Sequence, residues 1–349
     1  MKAFLLDAYA KGAKLRLADR PDPQPGPRDV LVRIHAAGLN QLDSKIRDGE
    51  FKLLLPYKPP LILGHDLAGV VEAVGSAVTR FAPGDAVFAR TRDGRIGSLA
   101  ERIAVDEADL ALKPADLTMA EAAGLPLVAL TAWQALVELG AVQPGTKVLI
   151  HAGSGGFGSV AIQLAKHLGA WVATTASSGN ADMVRALGAD VVIDYRSQQF
   201  ETVLSGYDLV VCGQDADALT RSLQVLRPGG RLISISGPPT VEFAKAQGLN
   251  WALQQVMRFL SFGIRRRARA KGVRYDFMFM RADGEQLARL GALIDAGAVR
   301  PVMDRVFPFD QANEAFAYLE TGRAKGKVVV AIHAPESTGP HHPERNHEA

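Results

Sequence analysis

The sequence predicts an α/β protein in which a mostly β domain precedes a doubly wound parallel sheet. Short strand-like runs separated by Gly and Pro occupy about the first 115 residues. Strand and helix patterns then alternate from Thr146 onward, and such alternation favours a parallel sheet with helices on both faces. A chain of 349 residues is long enough for both domains and a sizeable core.

The N-terminal region carries strand signals throughout. The run "DVLVRIHAAGL" follows the turn-rich "PDPQPGPRD", and "LAGVVEAVGSAV" and "GDAVFAR" continue the pattern. "LPYKPP" is predicted as a loop, because proline cannot sustain a strand ladder. Helical composition begins near Met119 and is interrupted at Pro126.

The remainder of the chain alternates between strands and helices. "TKVLIHAG" is a short apolar strand, and "GSVAIQLAKHLG" has apolar residues at helical spacing before a closing Gly169. Residues 241–271 are predicted as one longer helical stretch that runs into a basic cluster. "VRYDFMFM" is predicted as a further strand. Alternation along it places these side chains on one face: Val273, Tyr275, Phe277 and Phe279.

Composition predicts a cytoplasmic protein without a membrane or nucleic-acid partner. The net charge is only +3, so the overall charge gives no argument for nucleic acid. Cys212 is the single cysteine, which excludes an intramolecular disulfide and fits a reducing compartment. The apolar run at the N-terminus is too short for a signal peptide, and no run reaches the roughly 20 residues of a membrane helix.

The basic segment "GIRRRARAKGVR" concentrates six positive charges between Arg265 and Arg274, with no acid among them. Such a run can contact an anionic surface or nucleic acid, form an amphipathic lid, or contact another subunit. It can also be a solvated helix end whose cations lie near the negative end of the helix dipole. We favour the solvated end, since no aromatic interleaving or nucleic-acid module accompanies the run.

A glycine-rich turn is the most specific motif. "VLIHAGSGGFGSVAIQLAK" contains G-x-G-x-x-G directly after a strand and at the start of a helix. Glycines allow a pyrophosphate to approach closely, and the helix offers free N–H groups and a positive dipole end. This context indicates a dinucleotide site rather than a ligand-free turn. The predicted cofactor contacts here are Gly153, Ser154, Gly155, Gly156, Phe157 and Gly158.

The end of the next strand favours NADP, bound as NADPH, over NAD. An NAD site usually has an acid there to hold the ribose 2′-hydroxyl, but "TTASSGN" has only Ser177, Ser178 and Asn180. An uncharged, donor-rich turn accepts a 2′-phosphate that an acid would repel. Tyr195 and Arg196, after the following strand, could complete that pocket. A plain polar loop with loose cofactor choice is the alternative.

The order of these parts resembles the medium-chain dehydrogenase/reductase superfamily, over about residues 1–332. The matching segments include "GHDLAG", "AAGLNQLDSKIRDG", "FGSVAIQLAKHLGA", "RALGADVVIDY", "VLRPGGRLISISG" and "YLETGRAKGKVVV". Within the superfamily the chain is similar to the zinc-free quinone oxidoreductase and alkenal/enone reductase branch. The resemblance implies a GroES-like catalytic domain, a Rossmann domain and an active site in the cleft between them.

The same resemblance implies the domain limits. The GroES-like domain spans 1–125 and is completed by 281–333, and the Rossmann domain spans 126–280. Residues 334–349 are polar and Pro-containing and are expected to form a flexible tail.

Zinc is not expected, despite the Gly-His-Asp triplet at His65. In zinc-dependent members of the superfamily a cysteine occupies the position of Asn40, and a third ligand precedes the Rossmann turn. Here "LPLVALTAWQAL" offers no Cys, His, Asp or Glu. A catalytic zinc usually takes three protein ligands, which His65 and Asp66 do not supply. His65 is interpreted as a packing histidine at the cleft.

The resemblance implies hydride transfer from NADPH to a quinone or to the C=C bond of an α,β-unsaturated ketone or aldehyde. Asn40 would donate a hydrogen bond to the substrate oxygen, where negative charge develops, and Lys45 would be a second catalytic residue. A turn residue at a strand end is the alternative for Asn40, and Asp43 is assigned a structural role. Further cofactor contacts carried over from the family are Thr131, Gly213, Ser236 and Gly237.

Two other functions remain open at this point. One is a zinc-free alcohol or carbonyl dehydrogenase, which would reduce C=O instead of C=C. The other is an NADPH-binding sensor or structural protein with little turnover. The resemblance also implies a homodimer paired through the edge of the Rossmann sheet, for which "VRYDFMFM" is the candidate edge. Cys212 is expected to be a buried strand residue rather than a nucleophile.

Overall fold

The computed structural model describes residues 1–333. The predicted tail, 334–349, lies outside the described residues. The strands and helices form two layers. One layer is rich in antiparallel strands, and the other is built on a parallel sheet. None of the helices within residues 1–333 is long and apolar enough to cross a bilayer.

The N-terminal region is built from short strands, as the sequence predicts. These elements are β1 (Lys2–Leu6), β2 (Arg16–Asp19), β3 (Asp29–Gly38), α1 (Gln41–Arg47), β4 (Leu61–Ile62), β5 (Asp66–Val74), β6 (Ala86–Arg90), β7 (Arg102–Asp106) and β8 (Leu110–Leu112). β1 lies between β2 and β4 in a small antiparallel sheet. β3 pairs antiparallel with both β5 and β7, so its C-terminal end and α1 are held firmly against the domain core.

Two helices and a π-helical segment connect this region to the parallel sheet. They are α2 (Met119–Ala123), α3 (Pro126–Trp133) and the π-helical segment Gln134–Leu139. Pro126 occupies the first position of α3, where its missing N–H has no helical partner to lose. The predicted interruption at Pro126 is therefore a boundary between two helices.

A six-stranded parallel sheet follows. Its strands are β9 (Lys147–Ile150), β10 (Trp171–Ala176), β11 (Val191–Asp194), β12 (Tyr207–Cys212), β13 (Leu226–Ser234) and β14 (Arg274–Phe277). Their order in the sheet is β11-β10-β9-β12-β13-β14, which is the doubly wound Rossmann arrangement. The order reverses between β9 and β12, and ligands bind such sheets at the carboxyl ends of the strands beside that switch.

Helices cover the parallel sheet. They are α4 (Gly156–His167), α5 (Ala181–Ala186), α6 (Phe200–Val203), α7 (Ala216–Val225), α8 (Val241–Ala246), α9 (Trp251–Leu260) and α10 (Phe262–Ala270). α4 buries Val160, Ala161, Leu164 and Ala165 in the main core cluster, in agreement with its predicted apolar face. Cys212 is fully buried in β12.

The chain then returns to the N-terminal layer. The remaining elements are α11 (Gly284–Asp295), β15 (Met303–Pro308), α12 (Ala312–Glu320) and β16 (Lys327–Ala331). β16 pairs with β3 and completes a seven-stranded sheet of order β15-β16-β3-β5-β6-β8 with β7 attached to β3. This long-range pairing brings the start of β16 against the end of β3.

Two sequence-based expectations about the region after β13 are wrong. Residues 241–271 form three helices because Gly248 takes a left-handed conformation, with φ of 64°, and the Asn250 side chain caps α9. The strand predicted from "VRYDFMFM" ends at Phe277. Phe279 therefore does not share the sheet face of Tyr275, and its ring packs instead against Phe51 at 5.9 Å.

Candidate active site

A cavity of about 710 Å³ lies between the two layers. One wall comes from the end of β3, α1 and the loop that follows it. The opposite wall comes from the glycine-rich turn, the ends of β12 and β13, and α9. Residues 277–280 and the start of β16 close the remaining side. Both layers thus contribute to the cavity, and its position matches the switch point of the parallel sheet.

The glycine-rich turn has the close packing that its sequence predicts. A Cβ at Gly153 would lie 2.2 Å from the Thr174 hydroxyl, and one at Gly158 would lie 2.3 Å from the Ala152 carbonyl oxygen. Neither position can hold a side chain without a shift of its neighbours. α4 begins at Gly156, so its first N–H groups face the cavity end of the turn without helical partners.

Eight of the fourteen predicted cofactor residues line the cavity. Those lining it are Thr131, Gly155, Gly156, Phe157, Gly158, Gly213, Ser236 and Gly237. Gly153 lies beneath the turn, packed on Thr174. Thr131 donates a hydrogen bond from its hydroxyl to the Leu127 carbonyl oxygen at 2.6 Å, so its orientation is fixed by α3.

The residues expected to bind the 2′-phosphate do not line the cavity. They lie beyond the glycine-rich turn, after the ends of β10 and β11. Asn180 donates to the Ser154 hydroxyl oxygen at 3.1 Å, which joins the segment after β10 to the glycine-rich turn. Ser178 and Tyr195 are exposed and follow neighbouring parallel strands, β10 and β11. Ser177 is half-buried beside them. The structure therefore brings Ser154, Ser177, Ser178, Asn180 and Tyr195 to one edge of the sheet.

Asn40 lies at the junction of β3 and α1, and both ends of its side-chain amide are held. Its Nδ2 donates to Asp66 Oδ2 at 2.9 Å, and its Oδ1 accepts from Lys327 Nζ at 2.5 Å. Its backbone N–H donates to Asp43 Oδ2 at 2.9 Å. Asn40 therefore lies at the turn and also lines the cavity, and the Asp43 carboxylate is engaged by the Asn40 backbone and by His65.

Lys327 is a site residue that the sequence reasoning missed. It is 5% exposed, and its Nζ also donates to the Leu39 carbonyl oxygen at 2.9 Å. Asp66 Oδ2 lies 3.7 Å from that Nζ, which is an ion-pair distance rather than a hydrogen bond. Lys327 lies in the segment "GRAKGKVVV", and nothing in that segment marks it as a site residue.

Burial acts on both members of this pair. Burial lowers the pKa of the Lys327 ammonium, while the neighbouring Asp66 carboxylate acts in the opposite direction. Burial raises the pKa of Asp66 from 3.8 to about 6, against the opposing effects of Lys327 and Asn40. Each group opposes the shift that burial causes in the other, so removing either partner would leave a buried ionisable group without its counter-charge.

Lys45 projects from α1 and lines the same cavity. It is half-buried, and its ammonium makes no ion pair or hydrogen bond within residues 1–333. Two lysines thus lie near Asn40. Lys327 is buried and hydrogen-bonded to its side chain, whereas Lys45 is unengaged at the cavity wall. Of the two, Lys45 is the one whose ammonium is wholly unengaged.

The donor set at this site does not fit zinc. His65 is fully buried, and its Nδ1 lies 2.6 Å from Asp43 Oδ1. Asp66 is engaged by Asn40, by the Leu127 backbone N–H at 2.9 Å, and by the Lys327 cation. A divalent cation at this position would be repelled by the Lys327 ammonium. Within residues 1–333 no group of three or more His, Cys, Asp or Glu side chains is arranged to hold a metal ion.

His151 is a second buried histidine beside the cavity, at the end of β9. Its Nε2 lies 2.9 Å from the Ser222 hydroxyl oxygen, and its ring packs edge-on against Phe200 with centroids 4.7 Å apart. Burial lowers its pKa from 6.5 to about 4. The imidazole is therefore neutral near pH 7 and contributes packing and hydrogen bonds under the glycine-rich turn. Burial also raises the pKa of the Cys212 thiol to about 11, which excludes a thiolate nucleophile there.

Comparison with known proteins agrees with this geometry. Residues 26–115 match the family model described as the alcohol dehydrogenase GroES-like domain, and residues 187–330 match the model described as zinc-binding dehydrogenase. The chain is 35% identical to "NAD(P)H oxidoreductase RTN4IP1, mitochondrial" from Danio rerio, over 95% of this chain and 91% of that protein.

Two further relatives refine the comparison. The "NADPH-dependent alkenal/one oxidoreductase, chloroplastic" from Arabidopsis thaliana is 36% identical over 95% of this chain and 79% of that protein. The solved quinone oxidoreductase from Coxiella burnetii superposes with a TM-score of 0.83 at 31% identity, covering 95% of this chain and 99% of that one. The chain belongs to the medium-chain dehydrogenase/reductase superfamily, in its zinc-free quinone oxidoreductase and alkenal/enone reductase branch, and is an oxidoreductase with a nicotinamide cofactor.

Proposed function

We propose that this protein is an NADPH-dependent reductase of quinones and of the C=C bond of α,β-unsaturated ketones and aldehydes. One observation carries the proposal: a single cavity brings together the glycine-rich turn, the clamped Asn40 amide and the unengaged Lys45 ammonium. When bound, NADPH supplies a hydride to the β-carbon of the conjugated carbonyl. The relatives named above support this substrate class by their own described activities.

Asn40 and Lys327 together stabilise the charge that develops on the substrate oxygen. One N–H of Asn40 Nδ2 donates to Asp66 Oδ2. The other N–H has only a long contact, 3.5 Å, with the Gly38 carbonyl oxygen. That second N–H is available to a substrate oxygen in the cavity. Because the Lys327 ammonium donates to the other end of the amide, it polarises the amide and strengthens the remaining donor.

Lys45 supplies the second polar contact. Its ammonium is the unengaged cation on the cavity wall, so it can donate to the substrate oxygen or pass a proton to the reduced product. The apolar side chains that line the rest of the cavity, such as Phe51 and Phe279, suit the hydrocarbon portion of an enone or quinone. No step requires a metal ion.

NADPH rather than NADH is the proposed donor. Ser177, Ser178 and Asn180 lie at the end of β10 with no acid among them, and Tyr195 and Arg196 follow β11. Arg196 lies against the Tyr195 ring at 5.8 Å, so a cation stands beside the hydroxyl-rich turn. These side chains would offer hydrogen-bond donors and positive charge to a 2′-phosphate. An NAD site usually has a carboxylate at this position instead.

The assembly and domain limits remain part of the proposal. β14 is the edge strand of the parallel sheet, and its exposed backbone edge supports pairing with a second copy into a homodimer. We place the GroES-like domain at 1–125 with 281–333 and the Rossmann domain at 126–280. We also propose a cytoplasmic location, on the basis of the composition.

The proposal is tested by following NADPH oxidation at fixed protein concentration. The substrates are a quinone, an enone, an enal and a saturated ketone, with NADH measured beside NADPH. We expect turnover with the first three and a preference for NADPH. Turnover of the saturated ketone alone would favour an alcohol or carbonyl dehydrogenase. Tight NADPH binding without any oxidation would favour a sensor and would overturn the enzyme assignment.

A further inference from the structure

We propose that α9 and α10 form a docking surface for an anionic lipid membrane. This α9–α10 surface combines exposed apolar side chains with cations that lack partners. Of the twelve large apolar side chains that are exposed among residues 1–333, five lie in this short segment. They are Trp251, Val256, Phe259, Leu260 and Phe262. Phe259 is 82% exposed and Trp251 is 73% exposed, which is unusual for aromatic side chains without a partner.

α9 turns one apolar face to the cavity, and two of its aromatic side chains project from the other side. Leu253, Met257 and Leu260 lie on the face that lines the cavity. Trp251 and Phe259 project away from that face, on the side of the helix that also carries Gln255 and Arg258. These two aromatic side chains are exposed and lack an apolar partner within residues 1–333.

Cations lie close to these apolar side chains along the chain. Between Glu242 and Asp276 the chain has eight Lys and Arg residues and no acid. Some are engaged: Arg265 pairs with Glu242 at 3.2 Å, and Arg274 pairs with Asp276 at 3.0 Å. Arg267 donates to the Thr220 hydroxyl oxygen at 3.2 Å. Within residues 1–333, four exposed cations of α9, α10 and the following turn make neither an ion pair nor a side-chain hydrogen bond. They are Arg258, Arg266, Arg269 and Lys271.

A lipid surface would bind both the unpaired cations and the exposed apolar side chains. Anionic headgroups attract the arginines, while the adjacent acyl boundary accepts Trp and Phe side chains. A second copy is less suitable, because two-fold pairing would bring the same cations against each other. Nucleic acid would supply phosphates but no apolar layer for Phe259. This proposal differs from the sequence-based expectations of a solvated helix end and of no membrane partner.

The surface is continuous with the opening of the cavity. Val256 and Leu260 are about half-exposed and also line the cavity, as does Leu53, which is 73% exposed. Docking of α9 would therefore place the cavity opening beside the lipid. An apolar substrate could then enter from the membrane. That consequence rests on the proposed function, whereas lipid binding itself does not.

Vesicle flotation of the full-length protein tests the proposal. Vesicles of phosphatidylcholine alone are compared with vesicles of equal parts phosphatidylcholine and phosphatidylglycerol. We expect flotation with the anionic vesicles only, and weaker flotation as salt is added. The triple variant W251A/F259A/F262A and the double variant R266A/R269A should each lower the bound fraction by roughly tenfold.

The matched control is the double variant L17A/L112A, which removes exposed apolar side chains elsewhere and should float as the wild type does. None of the varied residues lines the cavity, so NADPH oxidation with a water-soluble quinone reports separately on folding and on the proposed function. Failure of the wild type to float, or equal flotation with neutral vesicles, would overturn the proposal. So would a triple variant that still floats but no longer self-associates in light scattering, since a second copy would then be the occupant.

Discussion

At the scale of single residues, the site depends on one lysine from the last strand. Lys327 donates to Asn40 Oδ1 and to the Leu39 carbonyl oxygen. Its stem also packs under the glycine-rich turn, since a Cβ at Gly156 would lie 2.7 Å from Lys327 Cδ. One side chain therefore touches both the predicted cofactor turn and the predicted substrate donor.

The variant Lys327→Met removes the ammonium but keeps the apolar stem. Asp66 then loses its cation and Asn40 loses the donor that fixes its amide. We expect kcat to fall by roughly 10- to 100-fold, less than for loss of the transition-state donor itself because Lys327 acts through Asn40, while the Kd for NADPH changes by less than about threefold. Steady-state kinetics and a fluorescence titration with NADPH measure the two effects.

Lys325→Met is the matched control, because Lys325 is exposed two residues away. It should leave both quantities unchanged. A Lys327→Met protein that folds, binds NADPH and keeps its kcat would show that Lys327 has only a structural role.

His151 gives a pH dependence with a defined sign. Its pKa is about 4 in the folded protein and 6.5 as the reference value. Its folded pKa is depressed, so the unfolded chain takes up a proton below pH 6.5 that the folded protein does not. Its contribution to stability is therefore complete above pH 6.5 and is lost as the pH falls towards 4.

We expect the wild type to lose about 2 kcal/mol more unfolding free energy between pH 7 and pH 5 than His151→Asn does. Urea unfolding at the two pH values measures this difference. His167→Asn alters an exposed histidine and should keep the wild-type pH dependence. Parallel losses in wild type and His151→Asn would contradict the buried neutral state.

At the scale of secondary-structure elements, local signals predicted some features well. The glycine-rich turn was predictable because strand, turn and helix are contiguous in sequence, and each glycine has a local steric reason. Three helices at 241–271 were not predicted, although Gly248 and Asn250 provided a stop and a start. Lys327 could not be found locally, because its place beside Asn40 depends on pairing between β16 and β3.

Gly158→Ala tests the turn as an element. The new Cβ would lie 2.3 Å from the Ala152 carbonyl oxygen and 2.6 Å from Gly153 Cα, and backbone atoms cannot move aside cheaply. We expect a loss of about 1–3 kcal/mol in unfolding free energy and a rise of roughly tenfold or more in the Kd for NADPH. Thermal unfolding and NADPH titration measure the two effects.

Gly263→Ala is the control for this substitution. Gly263 lies in α10 with no atom within 4 Å of an added Cβ, so NADPH affinity should not change and stability should stay equal or rise slightly. Equal NADPH affinity in Gly158→Ala and wild type would contradict the assignment of the turn to the cofactor.

At the scale of the whole molecule, the alternation of strands and helices predicted the parallel sheet, and the G-x-G-x-x-G context predicted where its ligand edge lies. The cavity itself was beyond local reasoning, since it exists only where β3, α1 and β16 meet the end of the parallel sheet. The same holds for the exposed face of α9, because periodicity marks a face as apolar without showing what covers it.

The central claim is that hydride goes to the β-carbon of a conjugated carbonyl, in a cavity shared by both layers. The most direct measurement uses NADPH that carries deuterium at the hydride-transferring position, with a linear α,β-unsaturated ketone as substrate. NMR of the product then locates the label. We expect deuterium on the β-carbon of a saturated ketone whose C=O is intact. Deuterium on the carbonyl carbon of an allylic alcohol would contradict it.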